Sequence, residues 1–298
     1  MDTLNKKLLG VALSAALGLG VAGNAHANAY AVAIDDVTNF AMTLTGDASV
    51  NPLIGLNTVS EASATHNGVG PATSDSIDTL QATASVGPFP GQNDFTQQGR
   101  VGDYARGDAL ISNVDVLNGN GSAINIAESF DQDGGLGTGF GANTLTSEII
   151  VGPNGGTVAF SFDATPYMEV EVTADQVGGN ATGVLAFNIS LEDQNGNITV
   201  FDWNPDGISG NDGTGNDVET GASLNETITA HAGELLTHSG AGNYSNFVNL
   251  AAGTYNVAIS MEERVSTQGT VPEPASMLLI GGGLIGMAYM RRRKATTA

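Results

Sequence analysis

The sequence predicts an all-β protein whose body is a β-sandwich of jelly-roll or Greek-key type. Many short segments alternate apolar and polar residues with period two, and they are rich in β-branched and aromatic residues. Clusters of glycine, asparagine and aspartate, which favour turns, separate these segments. Many short strands joined by turns, with few helical stretches, are typical of such sandwiches. We expect one extracytoplasmic domain over residues 28–270.

The first 27 residues predict a secretory signal peptide. Lys6 and Lys7 supply its charged n-region, the apolar run from Leu8 to Ala22 follows, and Ala25 and Ala27 form a small-x-small cleavage site. We therefore expect the body to be carried across the inner membrane.

Period-two alternation predicts strands along the whole body. In the first half they are Ala29–Ile34, Phe40–Thr45, Ala82–Val86, Ala123–Phe130 and Thr144–Val151. In the second half they are Thr157–Phe162, Tyr167–Thr173, Gly183–Leu191, Ile198–Trp203, Ser223–Ala230, Ser245–Leu250 and Thr254–Glu262. Residues 60–120 are less regular, and there Ser74–Thr83 predicts a short helix.

The last predicted strand has the clearest alternation. Tyr255, Val257, Ile259 and Met261 share one face of it. The residues Leu250–Gly253 before it predict the tight turn of a terminal hairpin.

The charge of the body is strongly negative. Of 31 acids in the chain, all but Asp2 and Glu273 lie there, and of nine cations only Arg100, Arg106 and Arg264 do, so its formal balance is 3 − 29 = −26. Nucleic acid is excluded as a partner, because phosphate binding needs lysine and arginine. The acidity favours solubility through self-repulsion, or cation binding outside the cell. The chain has no cysteine, so disulfides and thiolate metal sites are excluded.

One segment has the spacing of a Ca²⁺-binding loop. Asp202, Asn204 and Asp206 supply oxygens at positions one, three and five, Gly207 follows at six, and Ile208 offers its backbone carbonyl at seven. A loop that curls around a hard cation points every second side chain inward, which explains the alternate spacing.

This segment departs from the full calcium motif. Gly213 stands where a bidentate glutamate is expected, although Asp212 or Asp217 is near enough to replace it. A plain acidic turn is the competing interpretation, because aspartate and asparagine side chains bond their own backbone. The segment 131–134, Asp-Gln-Asp-Gly, is a weaker second candidate.

Two further interpretations concern Trp203 and the tripeptide Arg106-Gly107-Asp108. The indole favours a core position, with stacking on a sugar ring as the alternative. The tripeptide matches an integrin-binding sequence, and we interpret it as ordinary loop residues.

The sequence does not support catalysis. The body histidines, His66, His231 and His238, lack the i, i+4 spacing of a zinc pair, and no nucleophile–base spacing can be named.

The C-terminal segment predicts a membrane anchor. Pro272 and Pro274 end regular structure, and the uncharged run Ala275–Met290 follows. As a helix this run spans roughly 24 Å, which is short of the roughly 30 Å bilayer core and requires tilt or thinning. The cations that follow it, which are Arg291, Arg292, Arg293 and Lys294, are expected to stay in the cytoplasm.

Val-Pro-Glu-Pro-Ala-Ser, a glycine-bearing apolar run and a basic cluster together resemble the PEP-CTERM sorting signal of Gram-negative bacteria, here over residues 271–294. The resemblance implies recognition by an exosortase near Pro272, Glu273 and Pro274. It also implies association with exopolysaccharide or biofilm matrix.

These observations predict a non-catalytic structural or adhesion protein of the cell surface or extracellular matrix. The alternatives are a Ca²⁺-dependent carbohydrate-binding module and a surface polysaccharide hydrolase.

Overall fold

The fold is given by a computed structural model that describes residues 28–53, 55–67, 69–77, 80–87, 95–132, 134–196, 198–212 and 216–270, with backbone alone for 69–77. The predicted signal peptide and the segment 271–294 lie outside the described residues.

The described residues form 15 strands in one antiparallel sheet. The first eight are β1 (Ala29–Val50), β2 (Leu56–His66), β3 (Val69–Ile77), β4 (Gln81–Val86), β5 (Tyr104–Asn113), β6 (Gly121–Asp131), β7 (Leu136–Ala164) and β8 (Tyr167–Val172). The others are β9 (Asn180–Asp193), β10 (Ile198–Trp203), β11 (Val218–Glu219), β12 (Glu226–His231), β13 (Glu234–Ser239), β14 (Gly242–Leu250) and β15 (Gly253–Gln268).

The all-β prediction is confirmed. Among the described residues the helical content is one 3₁₀ turn, Val116–Asn118, and no α-helix is present. Within this part of the chain, no helix has the length and apolar character needed to cross a membrane.

The long strand β7 organises the sheet. One of its edges pairs first with β15 and then with β14, and its other edge pairs with β2 and then with β1. Its middle, residues 152–156, contains three glycines, and a Cβ on Gly156 would lie 2.8 Å from the carbonyl oxygen of Thr45. Glycine is required there, because the bend of β7 brings the backbone of β1 into contact with it.

The sheet folds over so that two layers face each other. One layer contains β3, β2, the first half of β7, β15 and β9, and the other contains β4, β5, β6, the first half of β1 and β8. The layers approach very closely at Gly107 on β5, where an added Cβ would lie 1.8 Å from the Phe140 carbonyl oxygen on β7. Beside this contact the core consists of alanines: Ala62, Ala64, Ala82, Ala84, Ala105 and Ala109.

Larger side chains fill the core under the second half of β7. Phe162 is its centre: its ring stacks on Phe40 and Tyr244 and packs against Phe187 and Trp203. Without a disulfide, this aromatic cluster must supply much of the packing, because each buried aromatic removes a large apolar area from water.

Two expectations about local secondary structure were wrong. The segment Ser74–Thr83 is not a helix, since β3 continues to Ile77 and β4 begins at Gln81. Leu250–Gly253 does not close a hairpin: β14 and β15 follow one another along the same edge of β7.

The integrin-like tripeptide is also not a loop. It lies inside β5, with Arg106 4% exposed and Asp108 1% exposed. Arg106 donates to Glu128, itself fully buried, at 2.9 Å. A recognition role for this tripeptide is excluded by its burial.

Alternation along β15 is confirmed. Tyr255, Val257, Ile259 and Met261 all point into the core, and the buried face continues through Glu263 and Val265.

Candidate functional site

The predicted calcium segment begins at the end of β10 and runs into the following loop. Asn188 on β9 donates to Oδ1 of Asp202 at 2.5 Å and to Oδ1 of Asn204 at 3.1 Å. Asp206 instead accepts the backbone N–H of Ile208 at 2.8 Å, and its second oxygen accepts the side-chain amide of Asn211 at 2.8 Å. One asparagine therefore joins the first two residues of the segment, whereas Asp206 belongs to the next turn.

Asp206 lies in a group with two acids from further along the loop. One carboxylate oxygen from each of Asp206, Asp212 and Glu219 lies within 4.8 Å of the others. Oδ2 of Asp212 is buried without a hydrogen-bond partner. Burial, and then the negative charges of Asp206, Asp217 and Asp202, raise the pKa of Asp212 to about 6.

Two hydrogen bonds fix Glu219 in this group. Its carboxylate accepts the indole N–H of Trp203 at 2.6 Å and the backbone N–H of Gly207 at 2.6 Å. The side chain is 5% exposed, and this burial raises the pKa of Glu219. The indole of Trp203 is fully buried, so its predicted core position is confirmed. The alternative prediction, that the indole stacks on a sugar ring, is wrong.

Asp217 shapes the loop rather than joining the group. Its two oxygens accept the backbone N–H of Gly210 at 2.6 Å and of Asp212 at 3.3 Å. Of the two proposed replacements for the missing ligand, the structure therefore brings Asp212 beside Asp206 and uses Asp217 to hold the loop backbone.

Glu219 is not predicted by the sequence pattern. It follows Asp206 by more than a full calcium loop and lies on the two-residue strand β11, which alternation cannot detect. Of the predicted ligands Asp202, Asn204, Asp206 and Ile208, the group of three carboxylates contains Asp206, and calcium binding by the predicted set stays a prediction.

The fold and this loop define an acidic, cysteine-free, all-β domain with a cluster of carboxylates at one end of the sheet. Residues 270–294 match the family model described as the PEP-CTERM protein-sorting motif. The chain thus carries this sorting motif, which indicates a membrane-anchored precursor that an exosortase sorts to the outside of a Gram-negative cell.

No curated protein matches the chain. A solved structure of the Gx strain of infectious bursal disease virus has a TM-score of 0.11 and 12% identity, covering 84% of this chain and 67% of that one. A mutant VP2 protein of the same virus, in derived T=1 particles, has a TM-score of 0.10 and 14% identity, covering 85% and 67%. Similarity this low supports no inference about the fold or the function of the chain.

Proposed function

We propose that the chain is a surface or extracellular-matrix protein, sorted by an exosortase, whose body has a non-catalytic structural or adhesion role in a polysaccharide-rich matrix. The sorting motif at residues 270–294 is the observation that carries this proposal. The motif supports the proposed exosortase-dependent sorting, and the properties of the body support the proposed structural or adhesion role.

The body is connected directly to the motif. The last strand, β15, ends at Gln268 and lies in the sheet between β7 and β9, so the sorting segment leaves from a strand that is paired on both edges. A central strand resists being pulled from a sheet, because both rows of backbone hydrogen bonds must break. This attachment suits a protein that is held at a membrane by its tail.

The cations of the body are all paired with acids of the same chain. Arg100 contacts Glu169 and Glu171 at 2.5 Å each, and Arg264 contacts Glu262. The remaining cation, Arg106, is buried against Glu128. The surface therefore presents acids that no cation compensates. Their mutual repulsion keeps such a protein dispersed in a hydrated matrix, and it opposes binding to the phosphate backbone of a nucleic acid.

Replacing Glu273 with alanine tests the proposed sorting by an exosortase. Because Glu273 is the charged residue of the Pro272-Glu273-Pro274 segment of the sorting motif, we expect Glu273→Ala to leave most of the chain unprocessed in the inner membrane. The released fraction should fall severalfold. Fractionation and immunoblotting of the producing cells measure both quantities.

The matched control is Glu61→Ala, which removes an exposed carboxylate of the body outside the motif. It should be processed and released like the natural chain. Equal release of the Glu273→Ala protein and this control would contradict the proposed route.

A second proposal is that Ca²⁺ stiffens the loop between β10 and β11. The grouping of Asp206, Asp212 and Glu219 favours it, because three carboxylates held together repel one another until a cation joins them. The site would then be structural and would not require the ligand order Asp202, Asn204, Asp206 and Ile208 that the sequence predicts.

Calorimetry with Ca²⁺ tests this second proposal. We expect Asp212→Asn to weaken binding at least about tenfold, as loss of a charged ligand should. Asp202→Asn is the discriminating control, because Asp202 lies outside the group and its loss should leave the affinity nearly unchanged. The reverse result would favour the ligand order read from the sequence.

A further inference from the structure

A histidine and two aspartates from separate parts of the chain meet at one end of the sheet. His66 is the last residue of β2, Asp131 is the last residue of β6, and Asp103 immediately precedes β5. One ring nitrogen of His66 and one carboxylate oxygen of each aspartate lie within 4.8 Å of one another. Antiparallel pairing produces this meeting, since both strand ends and the start of β5 lie at the same end of the sheet.

The members of this cluster are largely removed from water. His66 is 7% exposed and Asp131 is 1% exposed, while Asp103 is half-buried. Nε2 of His66 is buried and has no hydrogen-bond partner. Asp103 is fixed in place, because its Oδ1 accepts the backbone N–H of Gln132 at 2.7 Å.

A purely structural role does not account for the histidine. A structural histidine–aspartate pair joins a ring nitrogen to a carboxylate at hydrogen-bonding distance, and Nε2 of His66 makes no such bond. Leaving a buried polar nitrogen without a partner is unfavourable, so a group is expected to occupy the space that Nε2 faces. An imidazole and two carboxylates are together the donor set of a divalent metal ion.

We propose that His66, Asp103 and Asp131 bind a divalent transition-metal ion of the Zn²⁺ class. The imidazole distinguishes this site from the acidic loop after β10, because nitrogen ligands favour zinc and related ions over calcium. Ligand atoms around a tetrahedral zinc ion lie about 3.4 Å apart, given bonds of about 2.1 Å, so small side-chain rotations bring the three atoms to bonding positions. Three protein ligands leave the fourth position to water.

The position of the cluster gives the metal a structural consequence. Gly269 packs against it: a Cβ there would lie 2.7 Å from Oδ2 of Asp131, and its N–H donates to the Gly135 carbonyl oxygen at 2.8 Å. The sorting motif begins at the next residue, Thr270. A metal ion held by Asp131 would therefore stiffen the junction between the body and the segment that is processed.

Metal titration of the full chain, purified in detergent and stripped with a chelator, tests the proposal. We expect one Zn²⁺ per chain at this site, with Ca²⁺ at least tenfold weaker there. Zn²⁺ should also raise the unfolding temperature of the natural chain, since an ion that binds the folded state stabilises it. His66→Gln and Asp103→Asn should each weaken Zn²⁺ binding at least about tenfold and remove that rise.

The matched control is His231→Gln, which replaces an exposed histidine outside the cluster and should keep the full Zn²⁺ affinity. Asp103→Asn alters the most exposed of the three ligands, so we expect this variant to fold. It therefore tests Zn²⁺ binding at the cluster even if His66→Gln fails to fold. Zn²⁺ binding that is absent from the natural chain, unchanged in Asp103→Asn, or equalled by Ca²⁺ at the same residues would overturn the proposal. These measurements do not depend on secretion, so their outcome is independent of whether the proposed sorting by an exosortase is correct.

Discussion

Replacing Gly107 with alanine is expected to destabilise the fold by more than about 4 kcal/mol, the largest effect we predict for a single methyl group. The new Cβ would lie 1.8 Å from the carbonyl oxygen of Phe140 and 2.5 Å from its carbonyl carbon. Both atoms belong to backbone, so no side-chain rotation relieves the overlap and the two layers must separate. Separation would also expose the alanine core beside the contact.

The measurement is urea unfolding of the full chain followed by tryptophan fluorescence. Trp203 is the chain's single tryptophan and is fully buried, so its emission reports the folded core. Gly183→Ala on β9 is the matched control, because its nearest neighbour would be the flexible Met168 sulfur at 3.3 Å. We expect the control to change the unfolding free energy by less than about 1 kcal/mol. Similar midpoints for the two variants would contradict the close contact.

The sequence predicts the strands whose buried faces are branched or aromatic, and it fails where those faces are small or polar. The face of β15 that begins at Tyr255 is visible from alternation alone. The buried face of β2 consists of Thr58, Ser60, Ala62, Ala64 and His66, which shows no apolar period. Close approach of the layers is what makes small residues suitable there, and that approach depends on glycines of other strands.

Candidate sites are harder to predict for a related reason. Local spacing identified Asp206 and its neighbour Asp212, which belong to one loop. Glu219, and the meeting of His66 with Asp103 and Asp131, depend on which strand ends the sheet brings together. The pairing of β11 with β14, of β5 with β6 and of β2 with β7 sets these positions, and a single sequence does not specify it. The same limit explains why a hairpin was wrongly predicted at Leu250–Gly253. The residues indicate a turn, but they do not indicate which strand β14 and β15 each pair with.

Two carboxylic acids buried between the layers should make the protein more stable in mild acid than at neutral pH. Asp35 on β1 and Glu263 on β15 are each 1% exposed. Burial, and then the charge of Asp36, raise the pKa of Asp35 to about 7. Burial, and then the charge of Asp35, raise the pKa of Glu263 well above its usual range.

The sign of the effect follows from the direction of these shifts. An acid whose pKa is higher in the folded state holds its proton while the unfolded chain releases it. Its contribution to stability is complete below about pH 4 and is lost as the pH rises through the folded value of about 7. For Asp35 the shift from 3.8 to about 7 corresponds to a loss on the order of 4 kcal/mol.

Neutral substitutions should remove this loss. We expect Asp35→Asn and Glu263→Gln each to raise the unfolding free energy at pH 8 by a few kcal/mol and to flatten its dependence between pH 5 and pH 8. Urea unfolding across that range measures both effects, and Glu61→Gln, at an exposed acid, should keep the slope of the natural chain. A natural chain that is more stable at pH 8 than at pH 5 would show that neither acid is buried as described. The expected result would instead show that the buried pair destabilises the domain as the pH rises to neutral and above.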